Sequence, residues 1–152
     1  GQTAGNLTGI ALTGTIDLFI SKYDTSGTRL WTKLLGGAPS GEVGVTFNMA
    51  AVDPSGNVYL GGTIQYNGID GITMIGSMDS FITKYDTDGV KQWAKEFGSL
   101  DPSGGTYAAT IAINESGNVF LCGSNDFPLA GQTQTGSTDS FIIPLDSDGS
   151  TR

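Results

Sequence analysis

The chain has no histidine and a single cysteine, Cys122. A Ser-His-Asp triad is therefore excluded, and a thiol nucleophile would lack the imidazole that usually activates it. A structural zinc site loses its customary ligands for the same reason. One cysteine forms no intrachain disulfide, so Cys122 is expected to serve as a small buried apolar side chain. Basic residues are also scarce, seven Lys and Arg against fifteen Asp and Glu, for a net charge of −8. No two of them adjoin, so there is no patch whose counterion release would favour nucleic acid, nor one suited to an anionic membrane surface. No apolar run approaches the ~18 residues of a membrane-spanning helix. No glycine loop followed by Lys and Ser or Thr is present to cradle phosphate. Charged residues make up only 14% of the chain. The polar surface therefore falls to Thr, Ser, Asn and Gln, a balance common in exported all-β proteins. The first residue is Gly1 and no signal peptide is visible, which reads as a processed or excised segment of a longer protein.

Glycine is what the chain has in excess, at 24 of 152 residues. Without a collagen period, that excess implies many tight turns and hence many short strands. Internal repetition points the same way. The segment Asp17–Asp24 (DLFISKYD) returns as Asp79–Asp86 (DSFITKYD) and again as Asp139–Asp146 (DSFIIPLD). Trp31–Gly36 returns as Trp93–Gly98, and Ala51–Gly61 returns as Ala112–Cys122. The order and a spacing of about 60 residues are kept throughout, so repeat units are placed at 17–78, 79–138 and a partial 139–152. Residues 1–16 are read as the loop from a preceding blade.

Within each unit, period-two alternation marks strands, as in Phe81, Thr83 and Tyr85 against Ser80, Ile82 and Lys84. About nine strands are expected: 17–24, 28–35, 45–53, 57–63, 79–86, 90–97, 106–114, 118–124 and 139–145. Short connections end in Gly27, Gly56, Gly89, Gly117 and Gly149, where a three-residue hairpin loop needs a positive φ. Asp24, Asp53, Asp86, Asn114 and Asp146 precede them and can accept hydrogen bonds from turn amides. Long connections are expected at about 37–44, 64–78, 98–105 and 125–138. In a meander the two kinds of connection fall on opposite faces, so a binding site is sought on the long-loop face.

These residues resemble the bacterial β-propeller repeat family known as SBBP. Asp79, Phe81, Ile82, Lys84, Tyr85, Asp86, Gly89, Trp93, Lys95 and Gly98 match the first half of its pattern. Val52, Asp53, Gly56, Asn57, Val58, Tyr59 and Gly61 match the second half. The resemblance implies all-β propeller blades, each a four-stranded antiparallel meander, and here an incomplete ring. The period is longer than is usual for the family, and Pro144 and Leu145 replace its Lys and Tyr, which suggests an edge or distorted strand. More distantly, the Asp24, Gly27 and Trp31 spacing is similar to the tryptophan-docking repeats of quinoprotein-like propellers. By that analogy the Ala-rich strand from Tyr107 to Asn114 is innermost and the Trp93 strand outermost.

Several residues have both a chemical and a structural reading. Asp17, Asp79 and Asp139 begin equivalent strands; a side chain required in every unit is read as fixing loop amides in preference to lining a ligand site. Asp86, Asp88, Asp146 and Asp148 resemble truncated calcium loops, but the bidentate Glu that would complete one is missing, so turn chemistry is the preferred reading. Trp31 and Trp93 are expected to pack between blades, with Gly27, Gly56, Gly89 and Gly117 as structural turn positions. Tyr66, Met74 and Phe127 on the long loops are the candidate partner-binding residues. No cofactor is expected. The function expected is a non-enzymatic scaffold or binding module of an exported, periplasmic or cell-surface bacterial protein. Its partners would be further blades of a parent chain, copies of itself meeting at open strand edges, or a protein or carbohydrate. The competing expectation is a propeller lyase or hydrolase using a carboxylate pair, about 5–10 Å apart, near the axis.

Overall fold

The computed structural model describes residues 1–36, 43–66, 68, 69, 71–101, 103–129 and 132–152, with the backbone alone for 43–48. Most of the connection expected at 37–44 lies outside these residues. The strands are β1 (Gln2–Thr3), β2 (Asp17–Tyr23), β3 (Arg29–Leu35), β4 (Val43–Val52), β5 (Val58–Tyr66), β6 (Met78–Tyr85), β7 (Lys91–Phe97), β8 (Thr106–Ile113), β9 (Val119–Asn125) and β10 (Asp139–Leu145). They form three antiparallel sheets, ordered β1-β2-β3, β4-β5-β6-β7 and β10-β9-β8. The architecture is all-β, and the nine expected strands are present.

A tenth strand, β1, lies within residues 1–16, which were expected to be loop throughout. Gln2 pairs with Leu18 and Thr3 with Asp17, so the segment starts inside the first sheet. The Phe19 amide donates to the Gly1 carbonyl at 2.8 Å. Gly62 stands opposite Phe81 and Gly123 opposite Phe141 in the same way. A Cβ on Gly1 or Gly123 would lie 2.6 Å from the facing phenyl ring, so the ring lies flat over a bare backbone at this lattice point. The sequence repeat is therefore offset from the sheets. Each of the first two repeats supplies two strands of one sheet and the first two of the next.

Strand β5 runs to Tyr66, so the second long connection begins later than expected. Ile64 belongs to the strand and is fully buried. The central sheet is covered on both faces, as the period-two geometry of its strands allows. From β5 and β6, Val58, Leu60, Ile64, Phe81 and Tyr85 face the first sheet and meet Leu18, Ile20 and Leu35. Tyr59 and Ile82 face the third sheet and meet Ala108, Val119, Leu121, Phe141 and Leu145. Burial of side chains this size contributes about 1.5–3 kcal/mol each. These two seams hold the sheets side by side. Strand β8 touches β4, β5 and β6, which places the Ala-rich strand beside the first strand of the central sheet. Pro144 sits on β10, the edge strand of its sheet, paired with Phe120. An edge tolerates the missing N–H.

Candidate functional site

The five short turns have one geometry. In each, the glycine amide donates to the carbonyl of the Asp or Asn three residues earlier, and that residue's own amide donates to the carbonyl four residues on. The glycines have φ between 75° and 84°. Side chains complete the loops: Asp24 Oδ1 accepts from the Ser26 and Thr28 amides, each at 2.9 Å. The Ser26 hydroxyl, followed by the Thr28 amide, holds the Asp24 carboxyl below its ordinary range. Asp86 accepts from the Asp88 and Val90 amides and from the Gln92 side chain. Asp148 accepts from Ser150, and Asp146 from Arg152. The carboxylates of Asp86, Asp146 and Asp148 are thus engaged in their own turns or with Arg152. No group of three or more cation-ligating side chains occurs among the described residues.

Two of these turns are gripped by the preceding sheet. The Trp31 indole N–H donates to the Thr87 carbonyl at 2.9 Å, and the Trp93 indole to the Ser147 carbonyl at 3.1 Å. Lys22, directly across the sheet from Trp31, donates to the carbonyls of Gly56 and Thr87. Lys84, across from Trp93, donates to Ser147 at 2.8 Å. Its ammonium also lies 5.4 Å from the Tyr59 ring centre, within cation–π range. Trp31 packs on Tyr85 with centroids 6.2 Å apart, and Trp93 meets Tyr59 edge-on at 5.8 Å. The Trp-x-Lys spacing follows from the pleat: residues two apart share a face, so Trp31 and Lys33 both lie on Gly89, and Trp93 and Lys95 on Gly149. An amine, an indole and a lysine stem thus clamp a glycine turn of the neighbouring sheet. The equivalent first turn, Thr25-Ser26-Gly27, has the same backbone, yet a Cβ built on Gly27 would meet nothing within 4 Å.

The opposite, long-loop face is organised by aspartates. Asp17 is fully buried and accepts from the Thr13 and Gly14 amides and the Thr13 hydroxyl. Asp79, also fully buried, accepts from the Ile75 and Gly76 amides. Asp139 accepts from the Thr135 and Gly136 amides and is half-buried. Gly36 and Gly98 complete the arrangement, because a Cβ there would fall 2.3 and 2.2 Å from a carboxylate oxygen of Asp17 and Asp79. The glycine five residues after each tryptophan thus makes room for the aspartate.

The three candidate partner-binding residues do not form one patch. Tyr66 is 68% exposed and adopts φ 74° at the end of β5. Met74 packs against the seam between the first two sheets. Phe127 is half-buried beside Gly104, and its carbonyl accepts from Asn125. A polar hollow of about 310 Å³ opens on this face of the third sheet, lined in part by Asn125, Gln132, Gln134, Thr135, Asp139 and Ser140. Among the described residues Asp79 and Glu96 form a close carboxyl pair on β6 and β7, and Asp79 has no exposed surface. The sequence reading missed Glu96; the only signal was a carboxylate where the first unit has Leu34. Cys122, expected to be buried, is half-buried on β9 between Thr110 and Ile142.

No family model matches the sequence. The chain is 26% identical over 154 residues to the regulatory protein FlaEY of Caulobacter vibrioides, across 95% of its own length but 15% of that protein. It is 28% identical over 132 residues to an uncharacterized WD repeat-containing protein, L264, of Acanthamoeba polyphaga mimivirus, across 79% of its own length and 9% of that protein. The chain therefore spans a small part of both relatives. With three stacked antiparallel sheets and a WD-repeat relative, the chain consists of β-propeller blades: one complete and two partial, in an open arc.

Proposed function

We propose that this chain is a non-enzymatic propeller repeat segment of the SBBP type, acting as a scaffold that docks further blades through the lysine–tryptophan clamp. In this reading the long-loop face is its binding surface. One observation carries the proposal: two successive glycine turns are gripped in the same way by the sheet before them, and the turn ending in Gly27 has the same backbone. Of the motif residues shared with that family, Tyr59, Phe81, Ile82, Lys84, Gly89, Trp93 and Lys95 lie in the seams, which supports a scaffold more than a reaction centre. Low charge, one cysteine and no histidine support an exported or surface bacterial setting. On the long-loop face, the exposed Tyr66 and the polar hollow beside Asp139 suit a protein or carbohydrate partner.

The register provides a direct test. Because Gly1 and Gly62 hold equivalent positions, a tandem protein carrying residues 1–61 ahead of the whole chain should complete the first sheet and seat a second Trp31 on the turn at Thr25. Blade stability grows with each nearest-neighbour interface. We expect a single cooperative unfolding transition with its midpoint several degrees above that of the original chain. An extension that melts separately, or leaves the midpoint unmoved, would overturn the docking proposal.

A further inference from the structure

We propose that Glu96 and Asp79 form a proton-dependent latch that seats the long connection ahead of β6 on the central sheet, closed when the Glu96 carboxyl carries its proton and loosened when it does not. The differences among the three units lead there. In the first and third units the residue four before the aspartate is a threonine. Its hydroxyl gives the aspartate an extra donor, Thr13 to Asp17 at 3.2 Å and Thr135 to Asp139 at 3.4 Å. In the second unit that residue is Ile75, which has no hydroxyl. Glu96 takes up the role from the side. It faces Phe81 across the sheet as Leu34 faces Phe19, and its carboxyl meets that of Asp79 at the Ile75 amide. The Ile75 amide sits between the two carboxyls, 2.5 Å from Asp79 Oδ2 and 2.9 Å from Glu96 Oε1. Two like charges held against one amide repel, and a proton on the half-buried Glu96 carboxyl removes that repulsion.

The described part of the connection, Gly71–Ser77, carries no charge. Lys91 and Lys95 are the other charged residues of β7. Across the groove toward β10, Arg152 is bound to Asp146 and Asn118. On the connection after β7, Asp101 is engaged with Ser103. Burial first, then the bond to Asp79 and its charge, push the Glu96 carboxyl from an ordinary 4.5 up to about 8. A folded value above the unfolded one means the native state holds a proton that the unfolded state releases. Stability from this group therefore falls as pH rises from about 4.5 and levels off above about 8. The step conserves atoms simply: the Glu96 acid gives its proton to solvent and becomes carboxylate.

The test follows the backbone amide resonances of Ile75 and Gly76 in the intact chain from pH 5.5 to 9.5, alongside thermal melts. The wild-type resonances should move in one single-proton step centred near 8. Glu96→Gln keeps a donor without a titrating proton, so its resonances and melting midpoint should be flat over that step. The double variant Ile75→Thr with Glu96→Leu rebuilds the arrangement of the first unit and should also be flat. Wild-type resonances that do not titrate, or a step that persists in Glu96→Gln, would overturn the latch. Should Glu96→Gln fail to fold, the double variant tests the latch in its place: a step that persists there overturns it equally.

Discussion

Trp93→Ala is expected to lower the unfolding midpoint by about 6–12 °C, reflecting a loss of roughly 3 kcal/mol in a chain of this size. Three interactions vanish together: the edge contact with Tyr59, the cover over Gly149, and the hydrogen bond to the Ser147 carbonyl. The loss falls short of the full cost of a core tryptophan because Trp93 is half-buried. Trp93→Phe separates the contributions. It keeps a ring on Tyr59 but drops the donor and part of the cover over Gly149, so about 1–2 kcal/mol should be lost. Trp31 and Trp93 are the chain's two tryptophans and sit on different seams. In Trp31→Phe the remaining fluorescence reports the seam between the second and third sheets, and in Trp93→Phe the seam between the first and second. A Trp93→Ala protein that melts like the wild type would show that the clamp does not join the sheets.

The second large effect is expected at Gly89, and its control is Gly27. Both glycines close identical turns with positive φ, 75° and 84°. An alanine at Gly27 meets open space, so Gly27→Ala bears only the left-handed backbone cost of about 1–2 kcal/mol. At Gly89 the same methyl would fall 2.8 Å from Lys33 Cε and 2.9 Å from the Trp31 ring, and the clamp must open to admit it. Overpacking of that kind adds about 1–3 kcal/mol. Denaturant titration of the two variants should therefore separate them clearly, with Gly89→Ala the less stable. Equal losses would mean that the clamp yields freely, and that the glycines are kept for their dihedral angles alone.

The strands were legible because the short turns repeat a strong local signal. An Asp or Asn, two residues and then Gly fix the hairpin, and the alternation on either side fixes the faces. The tryptophans were legible as seam residues from size and repetition. Less visible was the third strand of the first sheet, since Gln2 and Thr3 carry no strand signal until their pairing with Asp17 and Leu18 is seen. Tyr66, Met74 and Phe127 were grouped by their shared apolar character on long loops. The fold separates them, because a loop of that length can send one residue into a seam and the next into solvent. Glu96 was hidden for a different reason. Its partner lies seventeen positions earlier on another strand, and only their meeting at the Ile75 amide makes it more than a surface acid.

The clamp also governs how the protein can be handled. Of its five lysines, Lys22 and Lys84 hold neighbouring carbonyls, while Lys33 and Lys95 lay their stems over Gly89 and Gly149. Acylation of any of these four would therefore act where the blades are joined and prise them apart, whereas Lys91 and the Gly1 amine are not among the clamp's amines.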